Sequence, residues 1–187
     1  MDLCHSFKFH FMKPFSILLL LLLFSCKSGK DVSTLEQDNM SPELTELVNL
    51  LIETDYIGTE KVGRSPEPSA AYASREALLS MASEEELLLL TSHPEGEVAA
   101  TAFEGLIRRH YSDLKTELLK LSEGDRKLNF LKGDIAFTMP ALEYAYVNLL
   151  GNDFEGGHSE NEVIEIGLNG AEKAFVENRI KAIRQIL

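Results

Sequence analysis

Apolar residues recur at helical spacing along most of the chain from Ser41 to Leu187. Residues three and four positions apart lie on one face of a helix, so each such stripe predicts a helix packed against a core. The predicted stripes are Leu47, Leu50 and Leu51; Ala70, Ala73, Ala77 and Met81; Leu87 to Leu90; Val98, Ala99, Ala102, Phe103, Leu106 and Ile107; Leu114, Leu118 and Leu121; Leu142, Ala145, Leu149 and Leu150; and Val176, Ile180, Ile183 and Leu187. The pattern predicts a mostly α-helical domain.

Local signals mark where several of these helices begin. Ser41 precedes a proline and a glutamate, which is typical of a helix start. The Ser83 and Asn169 positions are each followed three residues later by a glutamate, the capping-box pattern. Ser112 is the predicted cap of the helix that ends near Gly124.

The helical pattern is interrupted at three places. Residues 55–68 and 151–161 are rich in Gly, Pro or acidic residues and are predicted loops. Between Arg126 and Phe137, two apolar stretches flank Lys132-Gly133-Asp134, which predicts a short hairpin or extended insertion. Residues 163–168 alternate in a way that leaves strand and helix both open.

A different pattern lies near the start of the chain, where Lys13 precedes an apolar run from Phe15 to Phe24 that is interrupted only by Ser16. The run is shorter than the roughly 20 residues that span a bilayer, and a small residue, Ser25, follows it. These are the parts of a cleaved secretory signal. Met12, directly before Lys13, would begin a signal of ordinary proportions and is a candidate for the true start.

The sequence Leu23-Phe24-Ser25-Cys26 resembles the lipobox of bacterial lipoproteins, in which the cysteine carries lipid. Phe24 stands where that family usually has a small residue. The resemblance implies a signal over 1–25 and lipidation of Cys26. In that family an aspartate after the cysteine favours the inner membrane, so Lys27 favours the outer membrane. Residues 26–40 are predicted to form a flexible tether, because residues 27–40 are polar, lack aromatic side chains and show little periodicity. The alternative is an ordinary cleaved signal or an uncleaved apolar anchor.

The net charge and the cysteine content argue against two classes of function, nucleic acid binding and cysteine-based chemistry. The 187-residue chain has a net charge of −12, and without residues 1–25 the remaining 16 basic and 29 acidic residues give −13. Nucleic acid binding needs clustered Lys and Arg, so it is not expected. The two cysteines are Cys4 and Cys26. If Cys26 carries lipid, cysteine nucleophiles, disulfides and cysteine zinc sites are not expected in the mature domain.

Residues 83–110 resemble a HEAT-type repeat, a pair of helices joined by a turn that contains proline. The second helix of that family begins with an acid and a valine and continues with small and apolar residues. Ala99 stands where the family commonly has arginine. The resemblance implies a single HEAT-like helical domain over 41–187, a short α-solenoid or bundle, with no established activity. The matching residues are Pro94, Glu97, Val98, Ala102 and Leu106.

No catalytic constellation is apparent in the sequence. His93, His110 and His158 lack the one-turn spacing of a zinc pair, and no serine-hydrolase or phosphate-loop motif occurs. We therefore expect no catalytic residues, no metal and no cofactor. The acidic loop 151–161 leaves weak calcium binding open.

The sequence favours a non-enzymatic envelope lipoprotein that binds another protein or stabilises an envelope assembly as a scaffold. If the HEAT resemblance holds, the face to test first contains Arg108, Arg109, Tyr111 and Tyr144. Tyr111, Tyr144, Tyr146 and Phe154 are the aromatic residues expected to be partly exposed. Two alternatives remain open: an immunity-type inhibitor of a basic toxin, and a small hydrolase or ligand-binding protein that uses loops 55–68 and 151–161.

Mass spectrometry of the purified mature protein should find a lipid-modified N-terminal Cys26. A Cys26→Ser variant, as the matched control, should lack the lipid. Recovery of an unmodified chain that still contains Met12 would refute the lipoprotein assignment.

Overall fold

The computed structural model of the protein describes residues 40–62, 68–151 and 164–187. Cys26, the predicted signal and nearly all of the predicted tether lie outside this part of the chain. Seven helices and three short strands occupy the described residues, which confirms the prediction of a mostly helical fold. In chain order they are α1 (Pro42–Thr54), β1 (Ile57–Gly58), α2 (Ala70–Met81), α3 (Glu84–Leu90), α4 (Gly96–Arg108), α5 (Leu114–Leu121), β2 (Lys127–Lys132), β3 (Ile135–Pro140), α6 (Ala141–Leu149) and α7 (Gly170–Arg184).

Helix α4 lies at the centre of the fold. Every residue from Gly96 to Leu106 is buried, including Glu97, Thr101 and Glu104. The helix contacts α1, α2, α3, α5, α6 and β2. A helix buried on all sides normally carries apolar residues all round, so the acidic residues of α4 need partners inside the protein.

Most helix starts follow the predicted signals. The Ser41 hydroxyl accepts the backbone N–H of Leu44 at 3.1 Å, and capping boxes form at Ser83 and Asn169. The predicted cap at Ser112 was wrong by one residue, because the side chain of Asp113 accepts the backbone N–H of Thr116.

The predicted faces of the first two helices were partly wrong. Leu50 of α1 is exposed, and the buried face consists of Leu44, Val48 and Leu51. In α2 the buried face consists of Ala71, Arg75, Leu78 and Leu79, whereas Ala70, Ala73 and Met81 are exposed. The buried face of α2 has an arginine at its centre, so apolar periodicity pointed to the opposite side of the helix.

The predicted hairpin is confirmed as the antiparallel strands β2 and β3. Gly133 lies in the two-residue turn with a φ of 59°, a conformation that glycine adopts without steric cost. Strand β1 pairs with β2 in parallel, with Ile57 opposite Phe130. The prediction that residues 55–68 form only a loop was therefore wrong at Ile57 and Gly58. One face of this sheet packs against α4 and α6, in a small core made of Ile57, Ala100, Leu128, Phe130, Met139, Ala141 and Tyr144.

The C-terminal segment, residues 164–187, packs against the rest of the described structure. The main core is a cluster of buried residues from all seven helices that includes Leu44, Leu78, Leu87, Phe103, Leu118, Leu142 and Val176. Residues 164–169 have no regular secondary structure, although Ile164, Ile166 and Leu168 pack against this main core. Helix α7 contacts α6 and β3 and buries Val176 and Ile183 of its predicted stripe. Leu187 and the Leu150 side chain, both expected to face inward, are exposed.

The first turn of α4 lies against the start of β2 so closely that only glycine fits. A Cβ atom added to Gly96 would lie 2.1 Å from the backbone carbonyl oxygen of Lys127. Gly170 occupies the equivalent first position of α7, and a Cβ atom there would meet nothing within 4 Å.

Gly96→Ala should destabilise the protein by about 3 kcal/mol, the upper end of the usual overpacking cost, because the obstructing atom belongs to the backbone. The matched control Gly170→Ala should be neutral or slightly stabilising. Urea unfolding followed by circular dichroism measures both variants. Equal effects of the two substitutions would contradict the close approach of α4 and β2.

Candidate functional site

A buried polar cluster joins α2, α4 and α6. Arg75 is only 1 % exposed, Tyr144 3 % and Glu104 8 %. Arg75 Nη1 donates to the Tyr144 hydroxyl at 3.3 Å, and that hydroxyl donates to Glu104 Oε2 at 3.0 Å. Arg75 Nε lies 4.0 Å from the same carboxylate oxygen. Each of the three helices thus contributes one side chain to a shared arrangement of charge and hydrogen bonds.

The cluster reaches the surface through Arg108 and Glu76. The Arg108 guanidinium donates to both carboxylate oxygens of Glu76 at 2.9 Å, and also to Glu104 Oε1 at 2.5 Å. The Tyr72 ring completes the set, with its centroid 5.2 Å from Arg75 Cζ. We call Tyr72, Arg75, Glu76, Glu104, Arg108 and Tyr144 the Arg75 cluster.

The charges and protonation states of this cluster suit a structural role, in which it acts as a clamp that holds α2, α4 and α6 together. Burial raises the pKa of the Tyr144 hydroxyl, and the nearby Glu104 charge raises it further, so the tyrosine is neutral at physiological pH. Burial opposes the charge of Arg108, but its hydrogen bond to Glu76 and the carboxylates of Glu104 and Glu76 outweigh that effect and raise its pKa. Tyr144 therefore serves as a hydrogen-bond bridge between Arg75 and Glu104.

Three further arginines each donate hydrogen bonds to backbone carbonyls at the carboxyl end of a helix that lies far from them in sequence. Arg109 donates to the carbonyl oxygens of Leu79 and Ala82 at the end of α2. Arg126 donates to the carbonyls of Thr91 and His93 beyond α3, and Arg179 to that of Ser122 beyond α5. Each guanidinium satisfies carbonyls that the helix itself leaves without partners and balances the negative end of its dipole.

The predicted partner-binding residues lie in different environments. Arg108 is half-exposed but ion-paired, Arg109 caps α2, and Tyr111 is partly buried against the main core. The expectation that Tyr144 is partly exposed was wrong, because its hydroxyl is needed inside the Arg75 cluster. Arg75, Glu76 and Glu104 were not identified from the sequence. The one available signal was the four-residue spacing of Glu104 and Arg108, which places both on one helix face.

Other predicted features lie partly outside the described residues. Cys26, Phe154, His158 and most of the acidic loop 151–161 belong to the parts that the structure does not describe. Over residues 40–62, 68–151 and 164–187, no group of three or more His, Cys, Asp or Glu side chains could hold a metal ion. Within the same ranges, no helix combines the length and the apolar content needed to span a bilayer.

Among the large apolar side chains of the described residues, the most exposed is Ile135 of β3, an edge strand of the sheet. Ile135 is 68 % exposed and Phe137 38 % exposed. The Phe137 ring contacts the buried Phe130 ring of β2, with the two centroids 5.3 Å apart. None of the residues of β3, from Ile135 to Pro140, has an ionisable side chain. The whole chain, by contrast, has a net charge of −12. An uncharged, apolar edge strand is a typical site of strand pairing with another polypeptide.

No family model, curated protein or solved structure matches this chain.

The stability of the protein should respond differently to loss of charge at two buried glutamates of α4, Glu104 and Glu97. Glu104→Gln removes the more deeply buried of the two carboxylates beside Arg75, the other being Glu76 at 3.3 Å, and also removes an ion-pair partner of Arg108. The free energy of unfolding should therefore fall by about 3 kcal/mol. Glu97→Gln is the matched control, since a glutamine oxygen can still accept the Asn129 N–H that now donates to Glu97 at 2.9 Å. Burial raises the pKa of Glu97, so its neutral replacement should leave stability unchanged or higher. Equal losses in urea unfolding would contradict the clamp role of Glu104.

His93 should make the stability depend on pH. Its Nδ1 accepts the Glu95 backbone N–H at 3.1 Å, and burial, aided by the charge of Arg126, lowers its pKa below the ordinary 6.5. As the pH falls below 6.5, the unfolded chain binds a proton that the folded chain does not, so the free energy of unfolding decreases. Urea unfolding at pH 7.5 and 5.5 should show this loss, and His93→Asn should reduce it. An equal loss in the variant would assign the effect to other groups.

Proposed function

We propose that this protein is a lipid-anchored envelope protein that acts as a non-catalytic protein-binding module. The lipobox resemblance at Cys26 supports the anchor and the envelope location, with the outer membrane favoured. The single observation that carries the binding role is the open edge of β3: within the described part of the chain no further strand pairs with it, and residues 135–138 are exposed. The edge belongs to a strand that is apolar and uncharged, whereas the chain as a whole is strongly acidic.

The hairpin register determines which backbone groups of β3 are available. Lys132 pairs with Ile135 across the two-residue turn, so every second pair from there, including Phe130 with Phe137, exchanges hydrogen bonds. The backbone N–H and C=O groups of Ala136 and Thr138 therefore point away from β2. An incoming strand would satisfy these groups, while the exposed Ile135 and Phe137 side chains would supply apolar contact.

Aromatic packing beneath strand β3 holds the strand in a fixed position. Phe130, which supports Phe137, is fully buried and its ring lies 5.9 Å from that of Tyr144, a member of the Arg75 cluster. The edge is thus linked through two aromatic contacts to the clamp that joins α2, α4 and α6. A preorganised surface loses less conformational freedom on binding, which favours affinity.

The finer assignment of the fold is part of the same proposal. We propose that α3 and α4 form one HEAT-like unit whose faces are covered by the other helices and the sheet. The support is the turn that contains Pro94, the contact between α3 and α4, and the complete burial of Val98, Ala102 and Leu106.

A photo-crosslinking amino acid placed at Ile135 of the full chain, in its native membrane, should yield a covalent adduct with another polypeptide. Phe175 on α7 is the matched control, because it is an exposed apolar residue (52 %) on a different element. Adducts from position 135 that are absent from position 175 are the expected result. No adduct at either position, or equal adducts at both, would count against a binding role for the β3 edge.

A further inference from the structure

We propose that the occupant of the β3 edge is a second copy of this chain, paired through β3 in antiparallel orientation about a two-fold axis at Phe137. This inference rests on the proposed function, because it names the partner of the same edge. It is carried by the register of the hairpin, the side chains that the register aligns and the absence of charge from the strand.

The backbone pattern of the edge is compatible with pairing to itself. A two-fold axis at Phe137 places Ala136 opposite Thr138 of the other copy, and these are the residues whose N–H and C=O groups point outward. The two symmetric Ala136–Thr138 pairs would form four backbone hydrogen bonds. Phe137 would lie opposite its own counterpart in a pair without backbone hydrogen bonds, the pair in which side chains approach most closely.

The side chains also match across this axis. Phe130 already lies beside Phe137 within one copy, so the two-fold axis extends this pair into a row of four phenylalanine rings across a continuous sheet. The exposed Ile135 would lie opposite Met139 of the other copy, whose side chain is buried in the core under its own sheet, so Ile135 would extend the apolar row at each end of the contact. Aromatic and aliphatic cross-strand pairs of this kind stabilise antiparallel sheets.

Charge argues for this contact over others between two copies. Two chains of net charge −12 repel each other, so a contact between them is favoured where the local charge is zero. Strand β3 has no ionisable side chain, and the adjoining turn region holds one lysine and one aspartate, Lys132 and Asp134. The strand also lacks the lysines and bulges that commonly protect an edge from self-pairing.

The test uses the full chain in mild detergent, with its molar mass measured by light scattering. We expect a dimer for the natural chain and a loss of at least half of it for Ala136→Pro, which removes an outward-facing N–H without touching the bonds to β2. Ala136→Ser, the matched control, should keep the dimer. Helical circular dichroism and the thermal midpoint of the two variants should agree, which separates loss of pairing from loss of folding.

Photo-crosslinking from position 135, in a mixture of isotope-labelled and unlabelled copies, identifies the occupant. A labelled–unlabelled peptide pair that joins position 135 to strand β3 of the other copy supports the dimer. A monomer whose position 135 crosslinks to a different protein overturns this inference and leaves the proposed function standing. A monomer without any crosslink overturns both.

Discussion

The burial of Arg75 at the junction of α2, α4 and α6 is the constraint on which the rest of the structure depends. A buried charge without a partner costs several kcal/mol, and Arg75 is balanced by Glu76 on its own helix together with Glu104 and Tyr144, which α4 and α6 bring to it. Since α4 is also the helix that most other elements contact, this requirement fixes the centre of the fold. Arg108 and Glu76 then carry the same charge balance outward to solvent.

Long-range arginine contacts orient the remaining helices around this centre. Helices α2 and α3 have no basic residue in their last turns, and their carboxyl ends are instead bound by Arg109 and Arg126 from later segments. Arg179 of α7 does the same for α5, and the ion pair of Arg184 with Glu143 joins α7 to α6. The helix ends thus act as points of tertiary contact, and the hydrogen bonds that cap them also determine how segments distant in sequence lie against each other.

The features that were predictable from the sequence depend on nearby residues. The capping boxes at Ser83 and Asn169 and the turn at Gly133 are complete within a few positions, so the pattern was sufficient to find them. The buried face of α2 was not predictable, because an arginine at its centre reads as a solvent-facing residue until its partners are known. Strand β1 was missed for a similar reason, since two residues become a strand only by pairing with β2.

The candidate site was even less accessible to sequence reasoning. Tyr144 was expected at the surface because tyrosines are common at interfaces, yet its hydroxyl has two buried partners. The open edge of β3 was foreseen only as a hairpin, because the pattern does not show which strand lies at the edge of a sheet. A double-mutant cycle of Arg75→Met and Glu104→Gln, measured by urea unfolding, tests the central claim most directly. The account predicts that the double variant is more stable than the sum of the two single losses implies, because it removes the positive and the negative group together, whereas each single variant leaves the other group buried with one partner fewer. Strictly additive losses would contradict it.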